Sequence, residues 1–433
     1  MQADMVEPLR EIRDGYLMSL NLGTPAQVIQ VYLDTGSDLT WVPCGNLTFD
    51  CIDCDDFRSS SSSSSFRVNS AFSPSYSSSA LRDSCLSQFC SNVHSSDNPY
   101  DPCIVAGCSL ATSIKGTCAR PCPSFAYTYG AGGIVTGSLS RDTIRLHGTN
   151  ANVIREVPRF TFGCVGSTYH EPIGIAGFGR GPLSIPSQLG FLHKGFSHCF
   201  LGFKYANNPN FSSPLVVGDA ALSSKETMQY TPMLQSSMYP NYYYTGLEGV
   251  TVGNADRIQV PTILREFDSQ GNGGFLIDSG TTYTHFPDPL FTQILTAIQL
   301  EMTSYARAND MESRTGFHLC YKVPVFPNEE HAPVFPPITF HFLNNVSLTL
   351  PSSNCFYAMS APLNSTVVKC LLFRSVEDDN DEGSKNDGPA GVYGSFQQQN
   401  IQVVYDLENQ RIGFQPMDCA SASASQGIMA HKG

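Results

Sequence analysis

Asp34-Thr35-Gly36-Ser37 and Asp278-Ser279-Gly280-Thr281 are two copies of one pattern: an acid, a small hydroxyl residue, a glycine and a second hydroxyl residue. Each Asp ends an apolar run, Val31-Tyr32-Leu33 in the first copy and Phe275-Leu276-Ile277 in the second. Thr40 and Pro43 follow Asp34 by six and nine residues, and Thr284 and Pro287 follow Asp278 by the same steps. One Asp-Ser/Thr-Gly alone reads as a turn, because all three residue types form turns. About 0.2 such tripeptides arise by chance in a chain of this length. Two copies with matching flanks instead read as two carboxylates brought face to face by two similar lobes. Such a pair can draw a proton from water with one carboxylate and protonate a carbonyl oxygen with the other.

The elements that must position these carboxylates are doubled as well. Residues 16–23 and 244–253 precede the two copies and read as alternating strands closed by glycine. Gly174-Ile175-Ala176-Gly177 follows the first copy and Gly391-Val392-Tyr393-Gly394 the second, each a run in which one backbone can pass close to another. Gly36 and Gly280 are needed because a side chain there would block the approach of the two loops. The repeat is too long for a solenoid and fits a doubling with one lobe per copy. Most of the remaining chain reads as short strands between Gly, Pro and Asn turns, so the fold class is all-β with a few short helices. The spacing of Leu290, Ile294, Leu295 and Ile298 predicts a helix over 288–302. A shorter one is expected over 184–192, entered through Pro186.

At 433 residues the chain exceeds what one core usually organises. Two lobes are expected, over 13–203 and 204–419, with a polar tail at 420–433 and the boundary in the run Tyr205-Ala-Asn-Asn-Pro-Asn. A formal charge of −13 with no basic stripe argues against nucleic acid as a partner. No run approaches the length of a membrane helix. Of 15 cysteines, nine lie between Cys44 and Cys122, a loop-rich region unable to bury its own core. Disulfides are the better reading, although Cys51/Cys54 and Cys118/Cys122 have zinc-like spacing. The sequons at Asn46, Asn210, Asn345 and Asn364 point with the cysteines to the secretory path, hence to a secreted, cell-wall or vacuolar protein. Met1 opens no signal peptide, so a trimmed form is expected. An odd cysteine count leaves one thiol unpaired. Ser59 to Ser65 reads as a surface loop and the acidic run 377–382 as a solvated hairpin tip, with a calcium site there the lesser alternative. Gly-x-Ser-x-Gly and His-Glu-x-x-His are absent, and the glycines of 174–181 lack the lysine of a phosphate loop. Neither metal nor cofactor is expected.

With Tyr129-Gly130-Ala131-Gly132-Gly133 and Thr136-Gly137 added, the chain resembles the pepsin-like aspartic proteases over residues 16–419. The plant, nepenthesin-like branch fits best, with its cysteine-rich insert after the first Asp motif and Gly-Ser-Phe-Gln-Gln-Gln-Asn near the end, here 394–400. The resemblance implies a bilobal pepsin-like fold with pseudo-twofold symmetry, and hydrolysis of protein or peptide substrates at acid pH by a monomer. It implies Asp34 and Asp278 as the catalytic pair, and Ser37 and Thr281 as hydroxyls bonded to their outer oxygens. Tyr129 would be the flap tip and Trp41, the only Trp, its indole support. Relatives carry Asp and Ser where this flap has Ala131 and Gly133, a departure that bears on the flap's hydrogen bonds to substrate. The family pattern implies disulfides Cys44–Cys51, Cys54–Cys164, Cys199–Cys419 and Cys320–Cys370. It leaves Cys85, Cys90, Cys103, Cys108, Cys118 and Cys122 to pair within the insert and Cys355 over. The alternative is a catalytically silent binding protein of the same fold, as the xylanase-inhibitor proteins of plants are.

Overall fold

Gln27–Asp34 buries Ile29, Val31 and Leu33 on one face, the period of two that a half-buried strand requires. It is one strand of a computed structural model that describes residues 5–12, 15–50, 71–94, 101–130, 132–147, 154–171, 173–205, 208, 210–222, 227–325, 335–360, 363, 365–378 and 387–425. Gln27–Asp34 lies between Gly15–Leu22, antiparallel, and Gly174–Gly177, parallel, with Asp34 opposite Gly177. The second half repeats this. Phe275–Ile277 lies between Tyr244–Thr245, antiparallel, and Gly391–Tyr393, parallel, with Ile277 opposite Tyr393. Each Asp is thus delivered at the end of a central strand flanked by a glycine-bounded one. The fold is mainly β and bilobal.

Among the described residues a sheet of 14 strands joins the two halves. Ile401–Asp406, near the end of the chain, pairs with Gly195–Cys199, which pairs with Ser213–Val217, and that strand pairs with Met5–Leu9. One buried cluster runs through both halves, from Met18, Val31 and Phe196 to Phe275, Phe340 and Tyr405. Leu39, Trp41, Phe125, Val135 and Ile175 form a smaller cluster under the flap side of the first half. The helix Leu290–Glu301 buries Leu290, Phe291, Ile294 and Ile298. That is the one-sided stripe of an amphipathic helix, and each such side chain contributes about 1.5–3 kcal/mol. A single short turn of helix, Ile185–Gln188, forms within 184–192, with the Ser187 amide donating to the capping Ser184 hydroxyl at 3.3 Å.

Two expected disulfides are corrected. Cys44 is bonded to Cys164, with Cα atoms 5.3 Å apart, in place of the expected Cys44–Cys51 and Cys54–Cys164 pairs. The reason is strand register. Trp41–Asp50 runs parallel to Ile154–Tyr169 with Val42 opposite Cys164, which carries Cys44 within bonding distance of it. Cys51 and Cys54 lie outside the described residues, as do Ser59 to Ser65, Ala131, Asn364 and residues 379–382 of the acidic run 377–382. The insert is closed by Cys85–Cys103, Cys90–Cys122 and Cys108–Cys118, so Cys118 and Cys122 belong to different bridges and are not a ligand pair. Cys199 is bonded to Cys419, Cys320 to Cys370, and Cys355 is a buried free thiol. Asn46, Asn210 and Asn345 are exposed.

Candidate active site

The two Asp loops meet where the halves join, and their hydrogen bonds are crossed. The Thr35 amide donates to Ser279 Oγ at 3.0 Å, and the Ser279 amide donates to Thr35 Oγ1 at 2.9 Å. Each hydroxyl then donates across the join, Thr35 Oγ1 to the Ile277 carbonyl at 3.2 Å and Ser279 Oγ to the Leu33 carbonyl at 2.9 Å. Both residues are fully buried or nearly so, so these bonds are shielded from water and hold the loops in one geometry.

Within each loop the carboxylate is fixed the same way. The Gly36 amide donates to Asp34 Oδ1 at 2.8 Å, and the Gly280 amide to Asp278 Oδ1 at 2.8 Å. The Ser37 hydroxyl donates to Asp34 Oδ2, and the Thr281 hydroxyl to Asp278 Oδ2 at 2.6 Å. The glycines face the opposite acid. A β-carbon on Gly36 would come within 2.5 Å of Asp278 Cγ, and one on Gly280 would fall on Asp34 Oδ1. Behind each loop the doubled threonines act alike: Thr40 Oγ1 accepts the Gly177 amide at 3.2 Å and Thr284 Oγ1 the Gly394 amide at 3.1 Å.

Asp34 and Asp278 are 6% and 9% exposed, within hydrogen-bond reach of each other. Burial, and then the neighbouring Asp278 charge, hold the Asp34 carboxyl well above the usual carboxylate range, against the opposing bonds from Ser37 and Gly36. A carboxyl so buried beside a second acid is favoured in its protonated form, and that effect falls on Asp34.

The segment expected to be the flap is a hairpin of Phe125–Thr128 and Ile134–His147, with Thr128 opposite Ile134. Its turn is closed by the Tyr129 amide on the Gly133 carbonyl at 2.8 Å and by Gly132, whose φ of 78° glycine accommodates without strain. Trp41 Nε1–H donates to the Tyr129 hydroxyl at 2.8 Å, so the indole and the flap tyrosine are joined. Gly130 is exposed at the turn.

Sequence reasoning passed over two groups. Asp38, four residues past Asp34, accepts the Gly181 amide at 2.8 Å and Asn241 Nδ2 at 2.7 Å, tying the first loop to a residue of the second half. Burial pushes its carboxyl up to about 6, outweighing those two bonds. A carboxylate inside the motif loop was the available signal; nothing local marks Asn241. Glu171, between Tyr169 and Gly174, stands against the flap at Gly133, and no local pattern announces it.

Comparison with known proteins agrees with this architecture. The xylanase inhibitor N-terminal family model matches residues 16–219 and the xylanase inhibitor C-terminal model residues 242–416. A probable aspartyl protease of Arabidopsis thaliana is 33% identical, over 94% of this chain and 82% of its own. Aspartic proteinase nepenthesin-1 of Nepenthes gracilis is 31% identical, over 94% and 79%. The solved structure of basic 7S globulin from soybean superposes with a TM-score of 0.64 over 96% of this chain and 97% of that one, at 17% identity, a likeness of fold alone. With both halves matched and a 33% identical relative covered along most of its length, the chain belongs to the pepsin-like aspartic protease family, in its plant, nepenthesin-like branch.

Proposed function

We propose that this protein is an aspartic endopeptidase that hydrolyses peptide bonds at acid pH, with Asp34 and Asp278 as its catalytic pair. The observation that carries the reading is the crossed Thr35–Ser279 framework, which presents two buried carboxyls to one point with a hydroxyl and an amide committed to each. One carboxylate takes a proton from the attacking water while its protonated partner gives one to the substrate carbonyl oxygen. The roles then reverse as the tetrahedral intermediate collapses and the leaving nitrogen is protonated. The raised Asp34 carboxyl supports retention of the shared proton in acid. Tyr129, held by Trp41, would close over an extended peptide and exclude bulk water. On this reading residues 13–203 and 204–419 each bring one Asp loop. The bridged cysteines and exposed sequon asparagines support a secreted glycoprotein, extracellular or vacuolar.

The test is digestion of denatured globin at pH 3–5 with and without pepstatin, with Asp34→Asn as control. Pepstatin-sensitive cleavage lost in the variant is the expected result. Equal cleavage by both proteins, or none by either after removal of any pro-segment, would sink the reading. The names of the two family models favour a second reading, a binding protein that inhibits a xylanase. Inhibition of a xylanase by the Asp34→Asn variant, with no proteolysis by the wild type, would establish it.

A further inference from the structure

We propose that Glu171 serves as the hydrogen-bonding side chain of the flap, contacting the main chain of a peptide held beneath it. The inference rests on the protease reading above. The flap itself offers little: Gly130, Gly132 and Gly133 have no side chains, and a β-carbon at Gly130 or Gly132 would meet nothing within 4 Å. At Gly133 the space is taken. A β-carbon there would fall on Glu171 Oε1, with Glu171 Cδ and Cγ each 3.0 Å away. The carboxyl of Glu171 thus stands where a side chain of residue 133 would stand.

The backbone brings it there. Tyr169 pairs with Ile134 at the end of the flap's returning strand. His170 then adopts a left-handed conformation, φ 66°, with its amide donated to the Asp50 carbonyl at 3.0 Å and its ring stacked on Tyr169 at 4.0 Å. A left-handed residue at a strand end reverses the chain direction locally, and the next side chain, Glu171, meets the flap. Among the described residues the carboxyl forms no hydrogen bond or ion pair, and burial, its sole perturbation, pushes it up to about 7.

The Glu171 oxygens are not among the buried polar atoms that lack a partner, so the carboxyl remains open to a hydrogen-bonding group. Glu171 is only partly covered, so a ligand under the flap can reach it. In acid the carboxyl carries its proton, and then offers one donor and one acceptor. That pair matches the C=O and N–H of a peptide main chain, which every protein substrate has, and does not select a charged side chain. Glu171 is a positioning residue that orients the substrate backbone, and the two Asp residues remain the reacting groups.

The test measures kcat and KM at pH 4 on one internally quenched peptide for the wild type, Glu171→Gln, Glu171→Leu and the double variant Glu171→Ala/Gly133→Ser. Gln keeps a donor and an acceptor, Leu fills the space without either, and Ser restores a hydroxyl from the flap side. The expected result is kcat/KM within about threefold of wild type for Gln and for the double variant, and a fall of about tenfold or more for Leu at unchanged melting temperature. Full activity in the Leu variant, or a Gln variant as impaired as Leu, overturns the inference while the protease reading stands. An inactive wild type removes both together.

Discussion

The two Asp loops are nearly superimposable in chemistry and unlike in surroundings. Each carboxylate receives one glycine amide and one hydroxyl, each loop donates across the join, and each rear threonine takes a glycine amide. Around the first loop stand Trp41, Tyr129 and Asp38, whose equivalents by position past Asp278 include Thr282 for Asp38 and His285 for Trp41. Around the second stand Gln397 and Gln398, both fully buried. Gln397 accepts the Thr284 amide at 2.8 Å, and Gln398 donates to the Tyr393 carbonyl at 2.7 Å. The lesson is a separation of tasks. Symmetric bonds bring two acids together; asymmetric ones tie Trp41 to the Tyr129 hairpin and Asp38 to Asn241 on the first side, and seat the second loop on buried glutamines.

That comparison breaks first at the acids. If the pair acts as a unit, Asp34→Asn and Asp278→Asn should each reduce kcat by on the order of 10³-fold or more, to a similar floor. A variant that kept a tenth of the rate would mean that one acid works alone. The glycines come next. Gly36→Ala and Gly280→Ala each push a methyl group into the opposite carboxyl, and kcat should fall about 100-fold in both, as misplacement of a reacting group by about 1 Å does. Unequal losses would show that the symmetry is only apparent.

The asymmetric side is sharpened by Trp41→Phe, which keeps most of the buried ring and removes the bond to Tyr129. It should lower kcat about tenfold through a poorly held flap, with the melting temperature nearly unchanged. No change in kcat would take the indole out of the site. A double-mutant cycle on Thr35→Val and Ser279→Ala should return a coupling of about 1 kcal/mol in chemical denaturation, since the two side chains share reciprocal bonds. Strict additivity would contradict the crossed framework.

The smallest effect concerns pH. Burial raises the Asp38 carboxyl to about 6, so the folded protein binds its proton more tightly than the unfolded chain does. That contribution to stability is complete below the unfolded value near 3.9 and is lost as pH rises through about 6. Asp38→Asn should therefore remove about 1 kcal/mol of the fall in unfolding free energy between pH 4 and pH 7, after allowance for partial solvent screening, and so flatten the decline in melting temperature. An identical slope in the variant would exclude Asp38 as its source.

Much of this protein is determined by residues adjacent in the chain. The acid, glycine and hydroxyls of each loop are neighbours, so their mutual bonds require only a turn, and a turn is a local property. The helix at Leu290–Glu301 and the glycine-bounded strands Gly174–Gly177 and Gly391–Tyr393 are local too, set by periodicity and by the lack of a side chain. What the tertiary structure alone decided lies between distant residues. Cys44 meets Cys164 across 120 residues because two parallel strands settle into one register, a choice that cysteine spacing does not encode. Asn241 reaches Asp38 from the other half, and Glu171 reaches Gly133 only after His170 turns the chain. Such contacts follow from packing, in which many weak terms are settled together. The doubled acids could be read in order along the chain, while the groups around them required the fold.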